Sequence, residues 1–262
     1  MSVSEASAER YTSDDFVAMY LHAEWGDLLA DQARHFPGGA TGLPELDRPG
    51  FFYRTVAERV ADWVQQSGKS PLTACDVGAG TGRTAFELSR RLTSVAELTA
   101  VEPSAAFCAW MHALLVEEPG ERSIPSPELV GAPRRIPVDT TRLPPLPVPL
   151  RILQQDAESL AACGEKFDLV TCLNVMDRVP DPRALGCALT DLLSPGGLLV
   201  MACPFDFTCR FTPAERWIHD LRDVLPVDLF DIVGCEDVPY SFRQHSRRFN
   251  WYLSQVVAAR RR

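Results

Sequence analysis

Residues 72–82 read LTACDVGAGTG, and residues 83–92 continue RTAFELSRRL. The first six residues form a short apolar run of strand-forming type. The glycines that follow allow a tight backbone turn and a close approach to a ligand, and the segment after them has the composition of a helix. A strand, a Gly-rich turn and a helix in that order predict the first unit of an open α/β sheet. In such sheets ligands bind outside the carboxyl ends of the strands, where this loop would lie. A Gly-rich loop alone is shared by dinucleotide sites and many ordinary turns. Two details narrow it. No GxxxxGK[ST] is present, and Asp76 precedes the loop, where a carboxylate suits a cationic ligand better than a pyrophosphate.

The alternation continues outward from this unit. AELTAVE (96–102) reads as a strand and PSAAFCAWMHALLVEE (103–118) as a helix. LRILQQD (150–156) and KFDLVTCL (166–173) read as strands, and DPRALGCALTDLLSPGG (181–197) as a helix capped by Asp181, with Pro182 in its first turn. GLLVMACP (197–204) is a further strand, and TPAERWIHDLRDVL (212–225) is expected to be helical. Two strands close the chain, within 230–244 and 248–259. Repeated alternation predicts an α/β fold, a mostly parallel sheet with helices on both faces and a terminal antiparallel hairpin. Residues 1–70 read as a helical region, with amphipathic stretches at 12–32 and 51–69 that suit either packing onto the sheet or a lid. Residues 119–149 hold nine prolines, which predicts an extended insertion.

The bulk composition limits the function classes. The 262 residues are 46% hydrophobic and 23% charged, ordinary for a chain that buries a core. A net charge of −9 argues against a nucleic-acid partner. Arg260, Arg261 and Arg262 read as a solvated basic tail. No apolar stretch is long enough to span a bilayer, and the polar start MSVSEASAERYTSDD has no signal-peptide character, so a cytoplasmic protein is expected. The eight cysteines show no CxxC spacing, and the five histidines form no HxxxH or HxH pair, so no metal site is expected.

Four predicted strand ends carry polar groups: DxGxG at 76–80, Glu102, Asp156, and Asn174 in CLNVMDR (172–178). Glu102 can accept both hydroxyls of a ribose, or serve the helix at Ser104. Asp156 can accept from an adenine amino group, or cap a helix. Taken together, residues 72–204 resemble the class I S-adenosylmethionine-dependent methyltransferases. The resemblance implies a Rossmann-like seven-stranded sheet with a reversed last strand. It implies S-adenosyl-L-methionine as cofactor, with Asp76, Gly78 and Gly80 along its methionine part. Glu102 would hold the ribose, Asp156 and Ala157 the adenine, and Asn174 would also reach the cofactor.

CLNVMDRVPDP resembles a motif of the protein-histidine pros-nitrogen methyltransferases, in which an Asn, an Asp and a Tyr near the C-terminus hold the substrate imidazole. The matching positions are Asn174, Asp177 and Tyr240. Residues 212–220 and 236–262, with the N-terminal helices, resemble the 4-mercaptohistidine N-methyltransferases of ovothiol biosynthesis. That resemblance implies a small histidine-derived substrate, 5-thiohistidine or 5-selenohistidine, supplied by partner sulfoxide synthase and lyase enzymes. Asp177 would accept N–H from the far ring nitrogen, leaving the near lone pair available, while Asn174 and Tyr240 orient the ring. Arg243, His245, Arg247 and Arg248 bind the substrate carboxylate or form a solvated loop. Asp177 could instead pair with Arg178 or Arg183 on the surface, and Trp217 and Trp251 suit a core. Two competing readings are a peptide-histidine methyltransferase and a non-catalytic module of the same fold.

Overall fold

The computed structural model describes residues 14–29, 49–127, 134–245 and 248–262. Two helices come first, α1 (Asp14–Leu29) and α2 (Phe51–Gln66). The alternating part follows as β1 (Thr73–Val77), α3 (Arg83–Arg91), β2 (Glu97–Val101) and α4 (Ala105–Leu115). The insertion carries β3 (Glu121–Ser126) and β4 (Arg134–Asp139), and then come β5 (Leu150–Leu153), α5 (Ala157–Ala162) and β6 (Phe167–Leu173). The chain ends with α6 (Pro182–Leu192), β7 (Leu193–Cys203), β8 (Phe230–His245) and β9 (Arg248–Arg261).

Seven strands form one sheet in the order β5-β2-β1-β6-β7-β9-β8. The first five are mutually parallel; β9 runs antiparallel to β7, and β8 to β9. β1 is buried along almost its whole length, as a central parallel strand covered on both faces must be. Its side chains alternate between two cores. Cys75 and Val77 join Leu185 and Leu189 of α6, while Ala74 joins Val56 and Val60 of α2 and Leu88 of α3. Asp76 therefore falls on the α2–α3 face. Asp181 Oδ1 caps α6 by accepting from the Arg183 and Ala184 amides at 2.9 and 3.2 Å.

Several expectations change. Residues 212–225 hold two short 3₁₀ turns, Ala214–Arg216 and Leu221–Val224, instead of one helix. Pro213 and the separate cap at Asp220 break the helical period that the apolar spacing suggested. The Pro-rich insertion is partly a regular antiparallel pair, β3 with β4, because Ile124, Ile136 and Val138 pack against Leu21 and Trp25 of α1. Arg260 and Arg261 are strand residues, paired with Leu198 and Phe230, and do not form a solvated tail. Trp251 is 45% exposed, so it is no core residue. Arg247 and, within the N-terminal region, residues 1–13 and 30–48 lie outside the described residues.

α1 is fixed to the sheet through one buried cation. The Arg83 side chain has no exposed surface. It donates to Asp27 of α1 at 2.6 and 2.9 Å, to Glu87 at 2.7 Å, and to the Glu24 carbonyl. Asp27 also pairs with Arg54 of α2. Removing one partner of a buried ion leaves charge uncompensated. Asp27→Ala should lower the unfolding free energy by about 3 kcal/mol, measured by urea denaturation. A loss no larger than that of a surface substitution would show that α1 is not held this way.

Candidate functional site

A cavity of about 950 Å³ opens at the carboxyl ends of β1, β2, β5 and β6. Register brings these ends level, because Val77 pairs with both Val101 and Cys172, and Val101 pairs with Leu153. The strand order reverses between β1 and β6, so the cavity occupies the switch point of the sheet.

The loop after β1 forms one wall. Gly78 and Gly80 have φ of +68° and +57°, in the left-handed region that side chains disfavour. A Cβ on Gly78 would lie 2.3 Å from Val175 Cγ2. Glu102 stands beside the loop, with Oε2 accepting from Gly80 N at 3.0 Å and Oε1 from Ser104 N at 2.9 Å. Each oxygen keeps further acceptor capacity. Asp156 lines the opposite side and caps α5 through Ser159 N at 2.7 Å, so capping and cavity lining coexist in one residue. Ala157 is buried in the first turn of α5 and does not line the cavity. Asp76 lies beneath the loop and also does not line the cavity. Its Oδ1 accepts from Thr171 Oγ1 at 2.7 Å, and the Thr84 hydroxyl and Ala85 amide also face it. Its side chain therefore ties β1 to β6 and to the start of α3, the helix that follows the loop.

The second wall is CLNVMDR. Asn174 leaves β6 with φ +58°, a conformation that Asn tolerates, and its N–H donates to Ala202 O at 2.8 Å. Neither Oδ1 nor Nδ2 of Asn174 has a hydrogen-bond partner among the described residues. Asp177 sits in the 3₁₀ turn Met176–Arg178 with no exposed surface. Its Oδ2 accepts from Asp206 N at 3.1 Å, while Oδ1 has no partner. Arg178 reaches Asp177 Oδ2 at 3.6 Å and Asp206 Oδ2 at 2.9 Å. Arg183 bonds the Asp223 carbonyl instead.

β8 and β9 supply the third wall. Tyr240, Phe242 and Gln244 line the cavity from β8, and Asn250 and Tyr252 line it from β9. Tyr240 pairs with Tyr252, and Phe242 with Asn250. The period of two sends Arg243 to the other face, where it is buried with its guanidinium carbon 5.8 Å from the Phe249 ring centre. His245 is also outside the cavity lining. Among the described residues of this hairpin, the pleat presents Phe242 and Gln244 to the cavity where Arg243 and His245 were expected.

The roof comes from residues that the motifs did not single out. Phe16, Met19, Tyr20 and Glu24 of α1 and Tyr53 of α2 line the cavity. Glu24 had a readable signal, since it falls on the stripe of Val17 and Leu21, where a carboxylate on a buried helix face is unusual. Its carboxylate accepts from the Thr81 amide and hydroxyl and the Arg83 amide.

Charge in this cavity is one-sided. Glu24, Glu102, Asp156, Glu158, Asp177 and Asp206 line it, against Arg178 as the one cationic side chain among the described lining residues. Burial pushes the Glu24, Asp76 and Glu102 carboxyls up to about 7, against the opposing pull of hydrogen bonds from Thr81, Thr171 and the Ser104 amide respectively. Burial likewise pushes Asp177 up to about 6, with Arg178 opposing. Such a site favours a ligand that brings positive charge, and the absence of side chains at Gly78 and Gly80 lets Val175 and Glu24 close in on the loop.

Comparison with known proteins follows from this geometry. The profile of a family described as a methyltransferase domain matches residues 52–252. The ubiquinone biosynthesis O-methyltransferase of Cereibacter sphaeroides (strain ATCC 17029 / ATH 2.4.9) is 34% identical over 121 residues, covering 40% of this chain and 49% of that protein. The one of Dinoroseobacter shibae is 36% identical over 97 residues, covering 31% and 39%. The match thus spans about half the length of such curated relatives or less. Among solved structures, the [4+2]-cyclase SpnF aligns with a TM-score of 0.57 at 16% identity, over 97% of this chain and 94% of that one. The N-methyltransferase NodS from Bradyrhizobium japonicum WM9, in complex with S-adenosyl-L-homocysteine, aligns with a TM-score of 0.51 at 15% identity, over 80% and 88%. At these identities the structures are alike in fold alone.

The raised carboxyls set a pH dependence. A carboxyl whose folded pKa exceeds its unfolded value binds more protons in the native state between the two. Its contribution is fully present below the unfolded value of about 4 and is lost as pH rises through 6 to 7. The ligand-free protein should therefore melt at a lower temperature at pH 8 than at pH 5.5, by scanning calorimetry. A melting temperature that climbs across this window would contradict the acidic-cavity electrostatics.

Proposed function

The chain belongs to the methyltransferase-domain family, and on that premise we propose that it is an S-adenosylmethionine-dependent N-methyltransferase whose acceptor is an imidazole ring nitrogen of a histidine derivative. The acceptor we favour is a small molecule, 5-thiohistidine or 5-selenohistidine, modified at the pros nitrogen. Such an acceptor would have to come from enzymes that install the chalcogen, a sulfoxide synthase and a lyase. One observation carries the reading. A single cavity holds the Gly cradle with Glu102 and Asp156 on one side and, on the other, Asn174 and Asp177 with three polar atoms lacking partners. Buried polar atoms are normally paired, and these three await a ligand that both donates and accepts.

The cofactor supplies an electrophilic methyl group on a sulfonium. Glu102 is suited to the ribose hydroxyls and Asp156 to the adenine amino group, with Gly78 and Gly80 giving the close approach. Asp76 acts at one remove, by tying β1 to β6 and to the start of α3. Asn174 Oδ1 and Nδ2 and Asp177 Oδ1 would clamp the acceptor ring. Because the Asn174 amide atoms and Asp177 Oδ1 are all buried, contact with them requires the 174–178 turn to yield as the ring enters. Tyr240 is held by an aromatic set, 5.1 Å from Phe52 and 6.0 Å from Tyr252 between ring centres, and by a hydrogen bond with Tyr53.

Residue chemistry favours a nitrogen acceptor over a phenol. A neutral imidazole has its lone pair ready near pH 7, whereas a phenol near pKa 10 must first lose a proton. A wall rich in carboxylates opposes a phenolate and stabilises the cation formed on nitrogen. The O-methyltransferase relatives nonetheless make a phenolic acceptor the second reading. A peptide acceptor fits less well, since α1 and α2 roof the cavity with Phe16, Tyr20 and Tyr53. We assign the region 1–70, of which 14–29 and 49–70 are described, as a cap carrying α1 and α2, and 71–262 as the catalytic domain, with 119–149 as an insertion.

Mass spectrometry with S-adenosylmethionine and a panel of 5-thiohistidine, 5-selenohistidine, histidine, a catechol and a His-rich peptide tests this. Methyl gain on the chalcogen-bearing histidines is expected; gain on the catechol alone would overturn the nitrogen assignment. Asp177→Asn should lower kcat roughly 10²-fold while calorimetric S-adenosylhomocysteine affinity stays within threefold. Full turnover in this variant would remove Asp177 from the ring clamp.

A further inference from the structure

Glu24 has no role in the scheme above, although it lines the cavity beside Gly78, Gly80 and Glu102. Its Oε2 accepts from Thr81 Oγ1 at 2.7 Å, Thr81 N at 3.1 Å and Arg83 N at 3.2 Å. These amides open α3, where an unsatisfied helix N-terminus attracts an anion. The protein has filled that place with its own carboxylate. Oε1 keeps one long contact, to Thr81 N at 3.3 Å, and turns toward Gly80, where an added Cβ would lie 2.5 Å from it. A carboxylate oxygen accepts about two hydrogen bonds, so Oε1 retains capacity on the cavity side.

We propose that Glu24 Oε1 binds the α-ammonium of the cofactor's amino-acid tail, which makes α1 a wall of the cofactor site and not only its cover. The assignment rests on the cofactor reading above. With Glu102 on the ribose, a tail laid along Gly78–Gly80 toward α3 would reach Glu24. The tail ends in a carboxylate and an ammonium. The anion position at the start of α3 is taken, and Asp76 and Glu102 lie nearby, while the Arg83 guanidinium is turned to Asp27 and Glu87. The group that Glu24 can accept there is the ammonium.

Calorimetric binding of two nucleosides separates this from a structural role. S-adenosylhomocysteine carries the amino-acid tail, and 5′-methylthioadenosine lacks it. In Glu24→Gln, S-adenosylhomocysteine affinity should fall at least tenfold while methylthioadenosine affinity stays within twofold. Equal loss for both would mean that Glu24 only shapes the loop, and unchanged binding of both would remove it altogether; either result overturns the proposal. Glu24→Asp keeps the charge but shortens the reach. It should show the same selective loss, at a smaller factor, and it decides the matter by the same criterion if the Gln variant does not fold. Wild-type protein that binds neither nucleoside would overturn the cofactor reading and this assignment with it, whereas wild-type binding with non-selective variants would overturn this assignment alone.

Discussion

Parallel register is the constraint on which the rest of this structure depends. Val77, Val101, Leu153 and Cys172 end level across four strands, so each polar residue that follows a strand enters the same space. A one-residue slip of β2 or β6 would turn its whole side-chain set over and take Glu102 or Asn174 out of the cavity. The slip is blocked by burial on both faces. Cys75 and Val77 pack into one core and Ala74 into the other, so no alternative register buries the same residues. Chemistry at the strand ends is thus a by-product of core packing some distance below.

A second device brings α1 to the same place. Arg83 sits just after the Gly loop and is wholly buried, with Asp27 on α1 and Glu87 on its own helix as counter-charges. Buried ion pairs often contribute little net stability, because desolvation offsets the attraction. Their value here is positional, since a guanidinium accepts few alternative geometries. Two carboxylates of one helix, Glu24 and Asp27, engage the start of α3 through different atoms, and that fixes both the height and the rotation of α1 over the cavity.

The sheet was legible in the sequence because strand–loop–helix alternation leaves a local signature at each repeat. Glu102, Asp156, Asn174 and Asp177 were legible for the same reason, as each stands at the end of an apolar run. What escaped were features set by long-range geometry. Pleating decides whether Phe242 or Arg243 faces the cavity, and that phase cannot be read without the partner strand. The 212–225 segment had helical spacing, but Pro213 and the cap at Asp220 favoured short turns. Tyr20 and Glu24 lie more than fifty residues before the Gly loop, so only the folded contact reveals their place. Glu24 alone left a trace, a carboxylate on a buried helical stripe.

An acidic cavity is costly to keep. Glu24, Asp76 and Glu102 all have raised pKa values and all oppose one another, so each disfavours the ionised folded state of its neighbours. Simple packing would replace at least one of them by an apolar side chain. Their retention together makes sense if bound positive charge relieves the repulsion, and a sulfonium with an ammonium tail brings two such charges into one cavity. Under the function proposed, the same field would discriminate between acceptors. It would repel phosphates and phenolates and favour a neutral base that becomes a cation as the methyl group arrives. Electrostatics that weaken the empty protein therefore suit the cofactor and, under the function proposed, would also select the class of nucleophile.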